Sequence, residues 1–324
     1  MSGQRADEIP VRVSEIEEVA DRVRRFRLEP VSGRLPSFSG GAHVTVTFEV
    51  DGRRVRNPYS LVGDLGPHGE PEAYEITVLR TAGSRGGSEH LHTAVGPGTE
   101  LLVSPPGNLF PLHNLARRHL LVAGGIGITP FVAMTAQLAR HGHDFQLHHA
   151  VRTSTSAPYS EQLRKRYGDR VRVHRSAEGQ RLDIDALLVD QPLGTHLYVC
   201  GPESMIDDVL ERGRRAGWPE ESLHCERFVS PPGGEPFTAH LARAGLDVRV
   251  GEHESLLEAV ETAGVEPPYL CRGGACGQCE TRVLCADGVL DHHDHYLDDE
   301  QRASGQKLMI CMSRFRGERL VLDL

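Results

Sequence analysis

The C-terminal quarter of the chain contains the run Cys271-Arg272-Gly273-Gly274-Ala275-Cys276-Gly277-Gln278-Cys279, and Cys311 follows after 31 further residues. Three cysteines at C-x4-C-x2-C spacing with a distant fourth are typical of plant-type 2Fe-2S sites. The glycines permit positive φ and close backbone approach, so amide N–H groups can point at sulfur. We therefore expect these four cysteines to ligate one 2Fe-2S cluster.

A structural zinc site is the alternative for this run, because zinc also binds four cysteines. Zinc sites more often combine one closely spaced cysteine pair with a second, whereas Cys311 has no close companion. The spacing therefore favours the cluster. We expect Cys311 to lie in an apolar strand over residues 308–312, and Cys285, which is outside the spacing, to be a small buried hydrophobic residue.

The number and grouping of cysteines indicate a cellular compartment. The chain has seven, and five lie between Cys271 and Cys311. In a reducing cytosol such a group favours a metal site over a disulfide framework. No apolar run reaches the length of about 18 residues that a membrane span needs, and the N-terminus lacks a secretory signal. We expect a cytoplasmic protein with no membrane partner.

The charge of the chain bears on its partners. The formal net charge is -9, which argues against nucleic acid because phosphate binding requires a basic face. Residues 237–324 carry nine Lys and Arg against fifteen Asp and Glu. An acidic surface around a redox centre can attract a basic partner protein.

Three patterns follow one another along the chain. Up to about residue 112, alternating apolar segments between Gly, Pro and Asp turns predict antiparallel strands in a barrel or sandwich. From residue 119, alternating strand and helix segments predict a parallel sheet with covered faces, with its last strand over residues 222–228. A Pro- and Gly-rich linker over residues 230–236 precedes two strands, a helix and the cysteine run.

A glycine loop joins a buried strand to a helix in the middle region. The run is Ala123-Gly124-Gly125-Ile126-Gly127-Ile128-Thr129-Pro130. Its glycines would let the backbone approach a pyrophosphate, Thr129 would cap the helix, and Pro130 suits the first helical turn. The loop lacks the G-x-G-x-x-G spacing, and glycine loops also serve as plain turns.

A second motif, Cys200-Gly201-Pro202, ends a later strand of the same region. Ligands of parallel sheets bind beyond the carboxyl ends of the strands, so both motifs are expected on one cleft. Cys200 would lie beside a nicotinamide ring, and the alternative is a buried strand cysteine. Arg152 follows another strand and would reach the adenosine end, unless it is a solvated arginine.

The first region contains two motifs that suit a flavin. Tyr59 offers an aromatic face to a planar ring, Ser60 offers a hydroxyl, and Leu61 follows. Further on, Arg85, Gly86, Gly87 and Ser88 would form a phosphate cradle. The expected flavin site also includes Val78 and Arg80.

With these motifs in this order, the sequence resembles the phthalate dioxygenase reductase family over nearly its whole length. That family includes vanillate demethylase reductases and, most similar over the last thirty residues, carnitine monooxygenase reductases. The matching positions are Tyr59-Ser60-Leu61, Arg85-Gly86-Gly87-Ser88, residues 123–130, Cys200-Gly201-Pro202, Glu226 with Phe228, and the four cysteines.

The resemblance implies three domains in a multidomain fold. Residues 1–113 would form an antiparallel β-barrel that binds FMN, and residues 114–229 an α/β parallel-sheet domain that binds NAD. Residues 237–324 would form a plant-type 2Fe-2S ferredoxin domain of the α+β (β-grasp) class. Phe228 matches an aromatic residue that lies close to the flavin in this family.

One position departs from the pattern of the wider flavin family, Arg-x-Tyr-Ser. Here Asn57 stands two residues before Tyr59, and Arg56 stands three before. A contact of Arg56 with the flavin is therefore open, and the phosphate would depend mainly on Arg85 and its neighbours.

The implied activity is electron transfer from NADH to FMN, then to the 2Fe-2S cluster, then to a terminal oxygenase of the Rieske type, by a monomeric enzyme. The residues assigned to the chemistry itself are Ser60, Thr129, Cys200 and Phe228. One alternative is the same electron chain feeding a cytochrome P450; another is a non-catalytic iron–sulfur redox sensor or carrier. The run 291–295, rich in histidine, is expected to be a solvated loop rather than a metal site.

Replacing one ligand of the expected cluster tests the assignment. We expect Cys276→Ser to abolish the cluster, because serine does not supply the fourth thiolate, and to leave NADH oxidation at the flavin intact. Visible and EPR spectra measure the cluster, and ferricyanide reduction measures the flavin. A variant that kept the cluster spectrum of the parent protein would contradict the assignment of Cys276.

Overall fold

The structure is a computed structural model that describes residues 8–50, 53–63, 65, 70–81 and 86–324. The described chain divides into two compact units, one ending at Phe228 and the other comprising Val229–Leu324. The division falls just before the predicted linker. Among the described residues, no helix has the length and apolar character needed to cross a bilayer.

The first part of the larger unit is an antiparallel β-barrel, as predicted. Its sheet has the order β4-β5-β2-β1-β6-β3-β7, and an additional pairing between β3 and β4 closes it. Phe26, Val44 and Tyr74 are fully buried in its interior. The elements are β1 (Ile9–Ala20), β2 (Val23–Pro30), β3 (Ala42–Val50), β4 (Arg53–Val62), β5 (Tyr74–Leu79), α1 (Gly87–Thr93), β6 (Glu100–Val103) and β7 (Gly107–Asn108).

The second part of the larger unit is a five-stranded parallel sheet of order β10-β9-β8-β11-β12. From β8 the chain adds β9 and then β10 on one side, and it later adds β11 on the other side of β8. The strand order therefore reverses at β8, and parallel sheets bind ligands at such a switch point. The elements are β8 (Arg118–Gly124), α2 (Thr129–Arg140), β9 (Asp144–Val151), α3 (Ser160–Tyr167), β10 (Val171–Arg175), α4 (Ile184–Leu188), β11 (Thr195–Cys200), α5 (Glu203–Arg215) and β12 (Leu223–Glu226).

Barrel and parallel sheet are packed together within this unit. The amide of Gly40 donates to Oε1 of Gln137 at 2.7 Å, and the hydroxyls of Thr77 and Tyr159 are hydrogen-bonded. A Cβ on Gly40 would lie 2.7 Å from Cα of Met134, so the barrel and α2 approach each other backbone to backbone. This packing fixes the barrel relative to the carboxyl edge of the parallel sheet.

The smaller unit is a mixed sheet of order β14-β13-β17-β15-β16, in which β13 and β17 run parallel and the other pairs antiparallel. Helix α6 begins with a capping box between Ser255 and Glu258 and buries Leu256, Leu257 and Val260 in the core. The elements are β13 (Phe237–Leu241), β14 (Leu246–Val250), α6 (Leu256–Thr262), β15 (Glu280–Asp291), α7 (Asp299–Ser304), β16 (Lys307–Met309) and β17 (Arg314–Leu322).

Three expectations about local structure are wrong. Strand β16 ends at Met309, and Cys311 lies in a turn that the amides of Met312 and Ser313 close by bonding the carbonyl of Met309. Cys285 is exposed on β15, where an irregularity in the pairing with β17 between Val283 and Cys285 interrupts the alternation of faces. Strand β12 ends at Glu226, so Phe228 lies beyond the sheet.

Burial of histidines makes the parallel sheet sensitive to acid. His149 is fully buried, and its two ring nitrogens lie 2.8 Å from the hydroxyl of Ser160 and 2.9 Å from the carbonyl of Gly125. These partners suit the neutral ring, in which one nitrogen donates and the other accepts. Burial lowers the pKa of His149 to about 4.

The free energy of unfolding should therefore fall as the pH drops below about 6.5, the pKa of an unfolded histidine, because the unfolded chain then binds the proton first. We expect His149 alone to cost about 2 kcal/mol at pH 5 relative to pH 7. Urea unfolding followed by fluorescence of Trp218, the single tryptophan, measures it. His149→Gln should weaken the pH dependence, and His141→Gln, at an exposed position, should not.

Candidate functional site

The four cysteines of the predicted cluster site are gathered in the smaller unit. Sγ of Cys279 lies 3.1 Å from Sγ of Cys311. The thiols of Cys276 and Cys311, with two backbone amides, hydrogen-bond Cys271 and lower its pKa. Those amides belong to Gly273 and Ala275, each 3.4 Å from Sγ of Cys271. Pairwise contacts thus connect the four sulfurs, with N–H donors directed at Sγ of Cys271.

Tight packing around the cysteine loop requires two of its glycines. Gly274 and Gly277 both have positive φ, 69° and 75°. A Cβ on Gly274 would lie 2.8 Å from Cα of Asp294, and one on Gly277 would lie 2.3 Å from the ring of Tyr296. The segment that contains Asp294 and Tyr296 therefore covers the loop closely.

A buried ion pair holds the start of the loop. Arg272 has a positive φ of 52°, which is unusual for a residue with a side chain. Its guanidinium donates to Glu261 on α6 at 2.5 Å, and only 4% and 3% of the two side chains are exposed. The guanidinium also stacks over Tyr269 at 3.9 Å. These contacts fix the backbone turn that directly follows Cys271.

The glycine loop and the Cys200–Pro202 segment contact each other directly. A Cβ on Gly127 would lie 2.3 Å from the carbonyl oxygen of Cys200, and one on Gly124 would lie 2.6 Å from Pro202. Gly125 has φ +54° and open space on its Cβ side. Of the three glycines, Gly125 is thus the one that leaves room for a ligand, and the other two serve the contact between the loops.

A cleft of about 900 Å³ opens beside these loops, beyond the carboxyl ends of the parallel strands. It contains five of the residues expected at the nicotinamide cofactor, together with side chains from the barrel and from α4 and α5. The five are Gly124, Gly125, Ile126, Arg152 and Pro202. Arg152 is exposed there. The cleft has the position that the topology predicts for a dinucleotide.

One residue of the glycine-loop region differs from its expected local role. Thr129 is the first residue of α2 rather than its cap, and its hydroxyl donates to the carbonyl of Ile126 at 3.1 Å. Cys200 is fully buried, and burial raises the pKa of its thiol. Pro130 occupies the first turn of α2, as predicted.

The strand β4 brings the expected flavin residues to the rim of the barrel. Nδ2 of Asn57 lies 3.4 Å from the hydroxyl of Tyr59, and a Cβ on Gly87 would touch the same Nδ2. The hydroxyl of Ser60 donates to Oε2 of Glu226 at 3.5 Å. Burial raises the pKa of Glu226 to about 8, so this carboxyl group holds a proton at neutral pH. Ser60 from the barrel and Glu226 from the sheet thus meet.

The arginines near the barrel have separate partners. Arg56 is buried and lies 3.7 Å from Glu8. Arg80 is exposed and bonds both carboxylate oxygens of Glu89, at 2.7 and 2.6 Å. Arg85, expected to hold the phosphate, lies outside the described residues.

The remaining residues expected at the flavin are distributed as follows. Leu61 and Val78 are buried in the barrel. Gly86 has a φ of 92° directly before α1, and the hydroxyl of Ser88 is 3.0 Å from that of Thr81. Phe228, the last residue of the larger unit, is 47% exposed.

Two family models match separate stretches of the chain. Residues 99–223 match the family model of the dimethylamine monooxygenase subunit DmmA-like N-terminal domain, and residues 239–316 match the 2Fe-2S iron–sulfur cluster binding domain. A solved phthalate dioxygenase reductase, described as a modular structure for electron transfer from pyridine nucleotides to [2Fe-2S], superposes with a TM-score of 0.86 at 31% identity, over 98% of both chains. The chain belongs to the phthalate dioxygenase reductase-like family.

Two curated members of this reductase family align over almost the entire chain. The heme-dependent oxidative N-demethylase beta subunit of Ectopseudomonas mendocina (strain ymp) is 44% identical, over 98% of this chain and 99% of its own length. The carnitine monooxygenase reductase subunit of Escherichia coli (strain K12) is 41% identical, over 97% of this chain and 98% of its own length. The present reductase is thus an oxidoreductase of the flavin and 2Fe-2S type.

The residues present fit the cofactors of a phthalate dioxygenase reductase-like protein. Four cysteine thiols with amide donors beside one of them are a donor set for iron–sulfur chemistry. In the described residues, no three His, Cys, Asp or Glu side chains surround a single point as for one metal ion. The sulfurs instead make pairwise contacts, and a two-iron cluster takes two thiolates on each iron. For the flavin, the fit is the aromatic ring of Tyr59 beside Ser60 and the protonated Glu226.

Some residues of this reductase site are not recognisable from the sequence. His149 bonds the carbonyl of Gly125 and so supports the glycine loop, and Arg272 with Glu261 supports the cysteine loop. Neither has a motif, because each acts through a partner distant along the chain. The positive φ at Arg272 has no sequence signal either, since arginine seldom takes that conformation.

The contact between the two loops of the reductase predicts the effect of one added methyl group. Gly127→Ala would place Cβ against the backbone of Cys200, which cannot move without disturbing β11. We expect a loss of about 1–3 kcal/mol in stability and slower NADH oxidation, measured by Trp218 fluorescence and ferricyanide reduction. Gly96→Ala is the matched control, because nothing lies within 4 Å of its Cβ position. Equal behaviour of the two variants would contradict the steric role of Gly127.

Proposed function

We propose that this chain is the reductase component of a multicomponent oxygenase, which passes electrons from NADH through FMN and a 2Fe-2S cluster to a terminal oxygenase. The observation that carries the proposal is the gathering of four cysteine thiols in a chain that also has a cleft beside its glycine loop and a contact between Ser60 of the barrel and Glu226 of the parallel sheet. The alignment with reductase subunits over almost the full length supports it.

The proposed domains are residues 1–113 for FMN, 114–229 for NADH and 237–324 for the cluster. Each cofactor would be held by the residues of its own region, except that two residues of the second region would also lie beside FMN. FMN would be held by Arg56, Asn57, Tyr59, Ser60, Leu61, Val78, Arg80, Arg85, Gly86, Gly87 and Ser88, with Glu226 and Phe228 beside its ring. NADH would be held by Gly124, Gly125, Ile126, Gly127, Thr129, Pro130, Arg152, Cys200, Gly201 and Pro202. The cluster would be held by Cys271, Cys276, Cys279 and Cys311.

The flavin supplies the conversion between two-electron hydride chemistry and the single electrons that iron–sulfur centres accept. The protein supplies placement. Gly125 leaves space for the dinucleotide backbone, and the backbone of Cys200 packs against Gly127 in the same loop, while burial raises the pKa of its thiol. Glu226 keeps a proton on its carboxyl group 3.5 Å from the Ser60 hydroxyl, because burial raises its pKa to about 8.

The terminal partner that we propose is a haem-containing oxygenase that attacks the C–N bond of an amine. The relative at 44% identity is named a subunit of a heme-dependent oxidative N-demethylase, and the one at 41% serves a carnitine monooxygenase. The matching family model is also that of an amine monooxygenase subunit. This differs from the Rieske-type partner expected from the sequence, which is the alternative that the experiment must exclude.

The purified protein should be coloured and should oxidise NADH with cytochrome c as acceptor. It is then combined with either a haem-dependent N-demethylase catalytic subunit or a Rieske-type oxygenase, and formaldehyde release from a methylamine substrate is followed. We expect NADH-driven turnover with the haem protein. Cys276→Ser should block that turnover while ferricyanide reduction continues. Turnover with the Rieske protein alone would refute the proposed partner, and protein without flavin absorbance would refute the function.

A further inference from the structure

A small group of buried polar side chains lies behind the cysteine loop and has no part in the chemistry described so far. It consists of His292, at the junction after β15, Asp294, and Arg302 on α7. The side chains of His292 and Asp294 are 8% and 0% exposed. The stretch was expected to be a solvated loop. These two side chains are buried, whereas His293 and His295 are exposed.

Several polar atoms of this group lack a hydrogen-bond partner within the described part of the chain. They are both ring nitrogens of His292, Oδ2 of Asp294 and Nε of Arg302. Nδ1 of His292 and Oδ2 of Asp294 are 3.8 Å apart, just beyond hydrogen-bond distance. Buried polar groups are normally paired, because an unpaired one costs roughly 1–3 kcal/mol. A proton on Nδ1 would give the carboxylate a cationic partner.

Hydrogen bonds and backbone packing connect this group to the cysteine loop. Oδ1 of Asp294 accepts from the amides of Tyr296 and Leu297, at 3.1 and 2.8 Å. The next residue, His295, donates its amide to the carbonyl of Gly274 at 3.0 Å. Gly274 lies between the ligands Cys271 and Cys276, and its own backbone packs on Cα of Asp294. A change of charge in the loop therefore acts on Asp294, which packs against Gly274, and on His292, whose Nδ1 lies 3.8 Å from Oδ2 of Asp294.

We propose that His292 and Asp294 form a redox-linked proton site of the ferredoxin unit. When one electron enters from NADH by way of the flavin, Nδ1 of His292 takes up one proton from solvent, and the electron leaving for the oxygenase releases it. The added electron makes the loop region more negative, and a nearby buried cation becomes more favourable in proportion. The inference rests on the proposed function, since it requires the cluster between the four cysteines.

Burial favours the neutral ring of His292 before reduction, and the charges around it act in both directions. Burial lowers its pKa; Asp294 and Asp291 raise it, and Arg302 and His293 lower it. From the adjacent strand β17, Arg316 faces Asp291 and bonds both of its oxygens, at 2.8 and 2.9 Å, which offsets that carboxylate. Asp294 differs from Asp291 in this respect, because its Oδ2 has no hydrogen-bond partner among the described residues.

The midpoint potential of the cluster in the full-length holoprotein tests the proposal. It is measured by EPR-monitored redox titration at pH values from about 5 to 8. We expect the potential to fall as the pH rises, with a slope approaching 59 mV per pH unit, which corresponds to one proton per electron. His292→Gln should flatten this dependence. His293→Gln makes the same change at the exposed neighbour and should keep the slope of the wild type.

A potential independent of pH in the wild type, or the same slope in His292→Gln, would overturn the proposal. If His292→Gln does not retain its cluster, infrared difference spectra of the wild type give the answer. Reduction should produce bands of a protonated imidazole, and their absence contradicts proton uptake. A failure of the proposed function would give a different result from a failure of this inference, because the reduced protein would then show no iron–sulfur EPR signal.

Discussion

The four cysteine sulfur atoms of the smaller unit must lie close together, although they come from a loop and from a distant turn of the chain. The fold of this unit satisfies that requirement. The loop from Cys271 to Cys279 has no regular secondary structure, so its shape depends on its contacts. The ion pair of Arg272 with Glu261, the ring of Tyr296 against Gly277 and the backbone of Asp294 against Gly274 provide them. Each contact reduces the conformational freedom of the loop before a cofactor binds, which is a general condition for precise sites.

A comparable constraint acts in the larger unit, where two loops approach backbone to backbone at the carboxyl edge of the parallel sheet. Gly127 lies against the carbonyl of Cys200, and Gly124 against Pro202. This contact leaves Gly125 as the open position of the loop and orients the cleft toward the barrel. The neutral ring of His149 hydrogen-bonds the carbonyl of Gly125 in the same loop. The shape of the loop and the stability of the fold in acid therefore both depend on His149.

Buried ionisable groups recur near the proposed functional sites of this protein. Glu226 beside Ser60 keeps its proton near neutral pH, whereas His149 stays neutral, and each shift follows from desolvation. The pair of His292 and Asp294 belongs to the same pattern. A buried ionisable group lowers the stability of the folded protein. Several such groups near cofactor sites commonly indicate that their protonation state affects function.

The sequence by itself determined the class of each region and the chemistry of the cluster site. Cysteine spacing, strand alternation and the glycine loop are local signals, and they predicted the barrel, the parallel sheet and the four-thiol donor set. Only the tertiary structure decided which glycines face a ligand, that Cys285 is exposed, that Cys311 lies in a turn, and that His292 is buried against Asp294. These properties depend on which distant segments pack together, because burial and pairing are set by neighbours in space rather than by neighbours along the chain.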